Sequence, residues 1–562
     1  MATFNQLFML IILFFSSSFS FYSPLLSSPT TTTPPKNNTA HYSQTICNTT
    51  PYPFDCISSL PRHQSGTVRD FCRFFLQKSL STTKHFLSLL DSYLKRQHPG
   101  SRPALPEPTI RAIQDCHLLA ELSLDTLSKT YQTINFTNTL NSFETEEFQT
   151  LLSAVLTNTQ TCLQGLEEAI NSPSVVKNVV SFPLSIGTKL YSISLALFKR
   201  GWVDDVNYGK RDYTHNNRAA AVIGGGRKLL QAGLGGVVLS DVVVVNRNGT
   251  GNFSSISDAV AAAPNNTAIS NTSSYYVIYV VGGVYEEYVS IPRNKQNLML
   301  IGDGINRTVI SGNRSVVDGW TTFNSATFAV VGQGFVAINI TFRNTAGAIK
   351  HQAVAVRNSA DLSAFYSCSF EGYQDTLYAH SLRQFYRDCD IYGTIDFIFG
   401  NAAVVFQNCN IYPRLPLLNQ FNAITAQGRT DPNQNTGTSI QNCIIRAAQD
   451  LVMANYTNGT TRTFLGRPWK EYSRTVFMQS YMDSLIDPAG WTEWSGNFSL
   501  TTLYYAEFNN SGPGSNTSNR VTWPGFHVIS SSLDVANFTL SSFILGDSWL
   551  PTTGVPYTNG LL

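Results

Sequence analysis

Charge is scarce in this chain: only 13% of its 562 residues are Asp, Glu, Lys or Arg, and the net charge is +2. A nucleic-acid partner would call for a clustered basic surface, and nothing in that balance supplies one. From Leu230 onward the chain carries 18 basic and 21 acidic side chains, a net of −3, against 20 and 15 before it, a net of +5. A broad cationic groove for a polyanion is therefore disfavoured in the second part. The G-x-S-x-G elbow of the α/β serine hydrolases is missing. So are His, Cys and Glu at zinc-ligand spacing and a Gly-rich loop that could cradle phosphate. Beyond the first fifteen residues no apolar run reaches the ~20 residues of a membrane span, so no stable membrane association is expected. What the chain has in quantity is core material, 43% hydrophobic and 12% aromatic, in a length that suits two or three domains.

Residues 1–22 read as a secretory signal. A short apolar run, LFMLIILFF, is followed by small residues at Ser16 to Ser20. The start lacks Lys and Arg, which keeps a membrane anchor as the alternative, although the run is short for spanning. Residues 23–40 (with SPLLSSPTTTTPPKNNT) form a Ser/Thr/Pro-rich spacer. From 41 to 200 apolar residues recur at three and four, as in HFLSLLDSYL and DCHLLAELSLDTL, and predict an antiparallel helix bundle. It holds Cys47, Cys56, Cys72, Cys116 and Cys162, an odd number. Residues 201–237 are a linker by composition, and Arg227-Lys228-Leu-Leu within it is a candidate site for a processing protease. Nine cysteines and N-x-S/T sequons at Asn48, Asn135, Asn248, Asn306 and Asn497 agree with an exported glycoprotein containing disulfides.

After 238 short β-rich runs take over. Cys368, Cys389, Cys409 and Cys443 are each followed two places later by an apolar residue, Phe370, Ile391, Ile411 and Ile445, at spacings of 21, 20 and 34. A period near one turn of about 20 residues predicts a parallel β-helix with a loop let out of one turn; an antiparallel sandwich is the alternative. The same period organises polar residues. Gln352 and Gln374 are 22 apart, and Asp375 and Asp396 are 21 apart. On adjacent rungs, about 4.8 Å apart, the two carboxyls could not both ionise cheaply, which leaves one acid and one carboxylate. Asp396, flanked by Ile and Phe, needs a partner, and Arg467 in LGRPW is the candidate. The glutamines offer neutral amide donors suited to an oxyanion. A retaining glycoside hydrolase uses carboxylates at similar separation and remains a competitor. So does an inhibitory or binding protein with an inactive second part, though both aspartates being present argues against it.

These residues closely resemble those of plant pectin methylesterases. The likeness runs over 238–555 through GVYEEYV, HQAVAVR, GYQDTLY, DFIFGNAA, AQGRTDPNQNTG and LGRPWKEYSRTV. It implies a right-handed parallel β-helix that needs no metal or organic cofactor and hydrolyses methyl esters of pectin in the cell wall. By the same resemblance Asp396 is the nucleophile, Asp375 the general acid/base, and Gln352 and Gln374 the oxyanion hole. Arg467, Trp469 and Thr322 would contact substrate, and Tyr378 and Trp491 would line the cleft. Residues 41–200 resemble the family's inhibitor-like pro-region, a four-helix bundle, through ICNTTPYPFDC, DCHLLAEL and LLSAVLTNTQTCLQG. That implies Cys47–Cys56 and Cys116–Cys162 bridges, a contact between pro-region and enzyme, and a proteinaceous inhibitor as a possible partner. RKLL resembles the family's processing motif. Many relatives carry a Cys where this chain has Thr341, so a bridge from Cys368 to that rung is impossible, and Cys368 and Cys389 either pair or stay thiols. The low net charge of the second part predicts weak retention on acidic product and a scattered pattern of demethylation.

Overall fold

A computed structural model describes residues 39–61, 66–95, 105–169, 174–204, 237–266, 274–458 and 461–562. The expected signal segment, nearly all of the spacer, and the Arg227-Lys228 step lie outside the described residues.

The first part is all helix. Short helices α1 (Thr39–Cys47) and α2 (Pro53–Ser59) precede four long ones, α3 (Val68–Lys95), α4 (Glu107–Phe136), α5 (Ser142–Glu168) and α6 (Ser174–Phe198). A capping box starts α5: Asn141 Oδ1 accepts from Glu144 N, and Glu144 Oε2 accepts from Asn141 N. Cys47 bonds to Cys56, and Cys116 of α4 to Cys162 of α5, the pairing that the resemblance implied. The second bridge closes a span of 46 residues, worth about 4 kcal/mol in chain entropy. Cys72 remains a buried thiol. The segment Asn178–Val203 is long and apolar enough to cross a membrane, contrary to expectation. More than half of it is buried in the bundle, where it packs against both α3 and α5, and a helix contacted from several sides is apolar nearly all round.

The second part is a right-handed parallel β-helix of three sheets with eleven, seven and eight strands. The predicted period is its rung. Phe370 pairs with Ile391, Ile391 with Ile411, and Ile411 with Ile445, forming one inward column. The residue before each cysteine of the repeat turns the corner between two sheets in the left-handed region: Ser367, Asp388, Asn408 and Asn442 have φ of 50°, 51°, 57° and 53°. Short polar side chains tolerate that conformation best, which explains the recurring Asn and Asp there. Cys368, Cys389, Cys409 and Cys443 stack inside as free, buried thiols.

The outward face of the seven-stranded sheet carries a row formed by Ala329, Arg357, Tyr378, Phe399 and Ala426 on successive rungs. The helical part packs on this face. Phe86, Ile113, Cys116 and Leu166 share one apolar cluster with Phe323, Tyr378 and Phe399.

Candidate active site

The two aspartates sit on neighbouring rungs of the seven-stranded sheet. Asp375 precedes the strand Leu377–Ala379, Asp396 lies in the strand Ile395–Gly400, and Asp375 N donates to Ile395 O at 3.0 Å. Both have left-handed backbones, φ 61° and 53°, a conformation costing about 1 kcal/mol or more each away from Gly. Beside Asp396 the register with the next strand shifts between Ile395 and Ile398. An irregularity of this kind re-aims a side chain without breaking the sheet.

Arg467 follows the strand Thr463–Gly466 and clamps Asp396 with two bonds, Nε to Oδ1 at 2.8 Å and Nη2 to Oδ2 at 2.7 Å. Both aspartates are buried, 7% and 5% exposed. Burial pushes the Asp375 carboxyl well above the usual range, and the charges of Asp396 and Glu168 add to it while Arg467 opposes. Burial also raises Asp396, opposed by its bonds and charge contact with Arg467. The two titrate as a pair. Because only Asp396 holds the guanidinium, the shared proton belongs on Asp375.

Gln374 and Gln352 lie on adjacent rungs, with Ala353 N donating to Gln374 O at 3.2 Å. Both are half-buried, and neither side-chain amide has a hydrogen-bond partner among the described residues. An inert amide ladder would pair them with each other; instead their donors are free for a ligand. Tyr378 stacks on Phe399 with centroids 4.2 Å apart, and Trp469 meets both rings edge-on. Gly428 makes room for Trp469: a Cβ there would stand 2.7 Å from the indole. Thr322 sits on the same face, two rungs earlier.

Trp491 does not. It is 1% exposed, stacked on Tyr505 at 4.1 Å, and its Nε1 donates to buried Glu507 at 3.2 Å. It is a core residue, turned inward where it bridges to Gly466. Trp494, three residues on, is 36% exposed, and its ring centre lies 4.3 Å from the Arg467 guanidinium. Sequence reasoning also passed over His380 and Arg357. The GWTEW stretch offered two tryptophans, and only the register of the fold tells them apart.

The family model for Pectinesterase matches residues 241–547, and the one for Plant invertase/pectin methylesterase inhibitor matches residues 41–197. The chain belongs to the pectinesterase family. It is 56% identical to "Probable pectinesterase/pectinesterase inhibitor 41" of Arabidopsis thaliana, over 92% of this chain and 95% of that one. It is 46% identical to "Pectinesterase 2" of Citrus sinensis, over 92% and 94%. The solved structure "Pectin methylesterase from Carrot" is 55% identical, with a TM-score of 0.55, and covers 57% of this chain and 98% of its own. The protein is thus a pectinesterase, a carboxylic ester hydrolase, with an inhibitor-like helical part.

In this pectinesterase α5 lies across the site. Glu168 accepts from Thr322 N at 2.8 Å and from Thr322 Oγ1 at 3.0 Å. Thr161 Oγ1 lies 2.9 Å from His380 Nε2 and 3.4 Å from the Tyr378 hydroxyl. Asn401 Nδ2 donates to Thr157 Oγ1 at 2.9 Å, and Gln434 Nε2 to Ser153 O at 2.8 Å. Asp115 of α4 accepts from the Thr321 hydroxyl, and from Asn324 Nδ2 at 2.6 Å.

Proposed function

We propose that the β-helix hydrolyses methyl esters of polygalacturonate through a covalent acyl-enzyme on Asp396, outside the cell in the plant wall. The observation that carries this reading is the bidentate Arg467 clamp on one member of a buried aspartate pair. It keeps Asp396 ionised and aimed while Asp375 keeps the proton. The Asp396 carboxylate attacks the ester carbonyl carbon, and negative charge moves onto the carbonyl oxygen. The free amides of Gln352 and Gln374 donate to that oxygen without quenching the nucleophile. As the intermediate collapses, the bond to the methoxy oxygen breaks and Asp375 protonates it, so methanol leaves. Asp375, now a carboxylate, takes a proton from water as the water attacks the anhydride. The galacturonate acid leaves, Asp396 is regenerated as carboxylate, and Asp375 is again protonated. Trp469, Tyr378 and Thr322 would hold the sugar chain. Neutral amide donors suit this acyl chemistry better than the cationic transition state of glycoside cleavage.

The chain follows a secretory route directed by residues 1–22, and its exposed sequons, Asn48, Asn135, Asn248, Asn306 and Asn497, are open to glycosylation. Residues 41–200 act as a pro-region that covers the site until a protease cuts in the 201–237 linker. The test is methanol release from highly methylated pectin by the full chain before and after cutting at a specific site placed in that linker. Activity that appears on cutting and vanishes in Asp396→Asn supports the reading. A cut chain that releases no methanol would overturn it.

A further inference from the structure

Trp320 stands two residues before Thr322, in the loop leading into the strand Phe328–Val330. That strand is two rungs from Leu377–Ala379, so the loop lies about 10 Å along the sheet from the aspartates. The half-buried indole is held between two guanidinium groups. Arg314 is 3.8 Å from its ring centre, and Arg111 of α4 is 3.9 Å away. At such distances each face has room for one guanidinium, so the two lie on opposite faces. Arg314 continues the stack onto Tyr288 at 3.7 Å and has no carboxylate partner among the described residues. Arg111 belongs to the helical part and is tied down by a bond to Gly319 O at 2.9 Å. When the helical part leaves, one face of Trp320 is bared, and the other stays backed by Arg314. The same event frees the N–H and hydroxyl of Thr322 from the carboxylate of Glu168.

We propose that Trp320, backed by Arg314, is a distal binding platform for a galacturonate unit whose carboxylate is free. The proposal rests on the pectinesterase reaction assigned above. A pyranose ring offers weakly positive C–H bonds to the negative face of an indole, the face that the Arg111 cation covers in the uncut chain. Unpaired Arg314 supplies the charge that prefers an acid to an ester or a neutral sugar. The arrangement makes the helical part a stand-in for substrate at two adjacent points, with Arg111 on the sugar platform and Glu168 on the Thr322 donors. A preference for an already demethylated unit two rungs from the reacting ester would extend runs of free acid. That is the opposite of the scattered pattern the net charge suggests.

The experiment uses the full chain, cut at a specific site placed in the 201–237 linker and freed of the helical part. Binding of unesterified hexagalacturonate is measured by calorimetry, and methanol release from half-esterified pectin in parallel. Trp320→Ala should weaken hexamer binding and raise KM by roughly 5- to 10-fold, with kcat within about twofold, and Trp320→Phe should recover most of the loss. Arg314→Ala should raise KM on half-esterified pectin but not on fully methylated pectin. Unchanged hexamer binding in Trp320→Ala, or no binding by the unmutated protein, would overturn the platform. So would a fall in kcat with KM unchanged, which marks a structural role. Absence of methanol release with hexamer binding still lost in Trp320→Ala would sink the proposed reaction and leave the platform standing.

Discussion

Raising the pH from about 4 to 7 should loosen the hold of the helical part on the β-helix, and Asp115 is the reason. This carboxyl is 3% exposed at the interface. Burial pushes its pKa from 3.8 up to about 7, with the Thr321 bond and the Arg357 charge opposing and Glu168 adding. Both its hydrogen-bond partners, Thr321 and Asn324, belong to the β-helix. Separation therefore strips the site and returns the carboxyl toward its usual value. A group whose pKa is higher when assembled binds a proton on association. Its contribution is complete below about pH 4 and is lost as the pH climbs through about 7. Each tenfold gain in proton affinity is worth about 1.4 kcal/mol, so the ceiling is about 4 kcal/mol, or roughly a thousandfold in affinity between the two parts. Glu168 is also raised by burial and acts in the same sense. His380 is the opposing group, because burial holds its pKa well below normal. Its other neighbours, Ser359, Ser381 and Arg357, lie in the β-helix, so the ring stays covered when Thr161 departs, and its contribution largely cancels. The assay is calorimetric titration of the two separated pieces between pH 4.5 and 7.5. Affinity should fall by at least 10-fold across that range, and Asp115→Asn, which mimics the protonated acid, should flatten much of the slope. An affinity independent of pH, or an unchanged slope in Asp115→Asn, would refute the reasoning.

Asp396→Asn should lose several powers of ten in methanol release, each about 1.4 kcal/mol of barrier, with an unchanged circular dichroism spectrum; near-normal turnover would sink the mechanism. Gln374→Ala should lower kcat by roughly 10²–10³ with little change in KM, whereas a change in KM alone would make it a binding residue, and Gln352→Ala should behave similarly. Trp491→Ala, which empties a core position, should cost about 3–5 kcal/mol in denaturant unfolding. Trp494→Ala should leave stability within about 0.5 kcal/mol yet reduce kcat/KM by loosening Arg467. The reverse pattern would restore Trp491 to the cleft.

The rung was legible in the sequence because a solenoid repeats its own geometry. The Cys-x-apolar spacing, the Asn or Asp before three of the four Cys, and the one-turn offset of Gln over Gln and Asp over Asp all express a single period. Arg467 was legible too, because a buried carboxylate among Ile and Phe demands a cation, and few were at hand. Trp491 was misread because motif likeness says nothing about which side of the backbone a residue takes, and one residue of register moves a side chain from cleft to core. The contact between the two parts was least legible. Thr157, Thr161 and Glu168 look like ordinary polar helix positions. Their bonds come from facing a second domain, and no periodicity within α5 records that. The apolar length of α6 went unread in the sequence; a central bundle helix and a membrane helix satisfy the same compositional rule.

Whether the helical part chiefly covers the site or chiefly assists folding can be argued from where its bonds fall. A folding aid would gain most by shielding unfinished sheet edges or the ends of the solenoid, where backbone groups lack partners. Apart from the Asp125–Arg293 pair beside the edge strand Val289–Ile291, the bonds fall elsewhere. Glu168, Thr161, Thr157, Ser153 and Asp115 meet Thr322, Tyr378 and His380, Asn401, Gln434, and Thr321 and Asn324, all on loops and strands around the seven-stranded sheet that bears the aspartates. Most are side-chain bonds to groups that would otherwise face water and that a sugar could use equally well. The apolar share of the contact, Phe323, Tyr378 and Phe399 against Phe86, Ile113 and Leu166, likewise covers rings that a carbohydrate would stack on. The seal also keeps water from Asp375 and adds the Glu168 charge beside it, so removing it should lower the acid's pKa as well as open the groove. A surface chosen for folding has no reason to coincide with the substrate groove at each of these points, whereas a cover must, and the coincidence favours the cover.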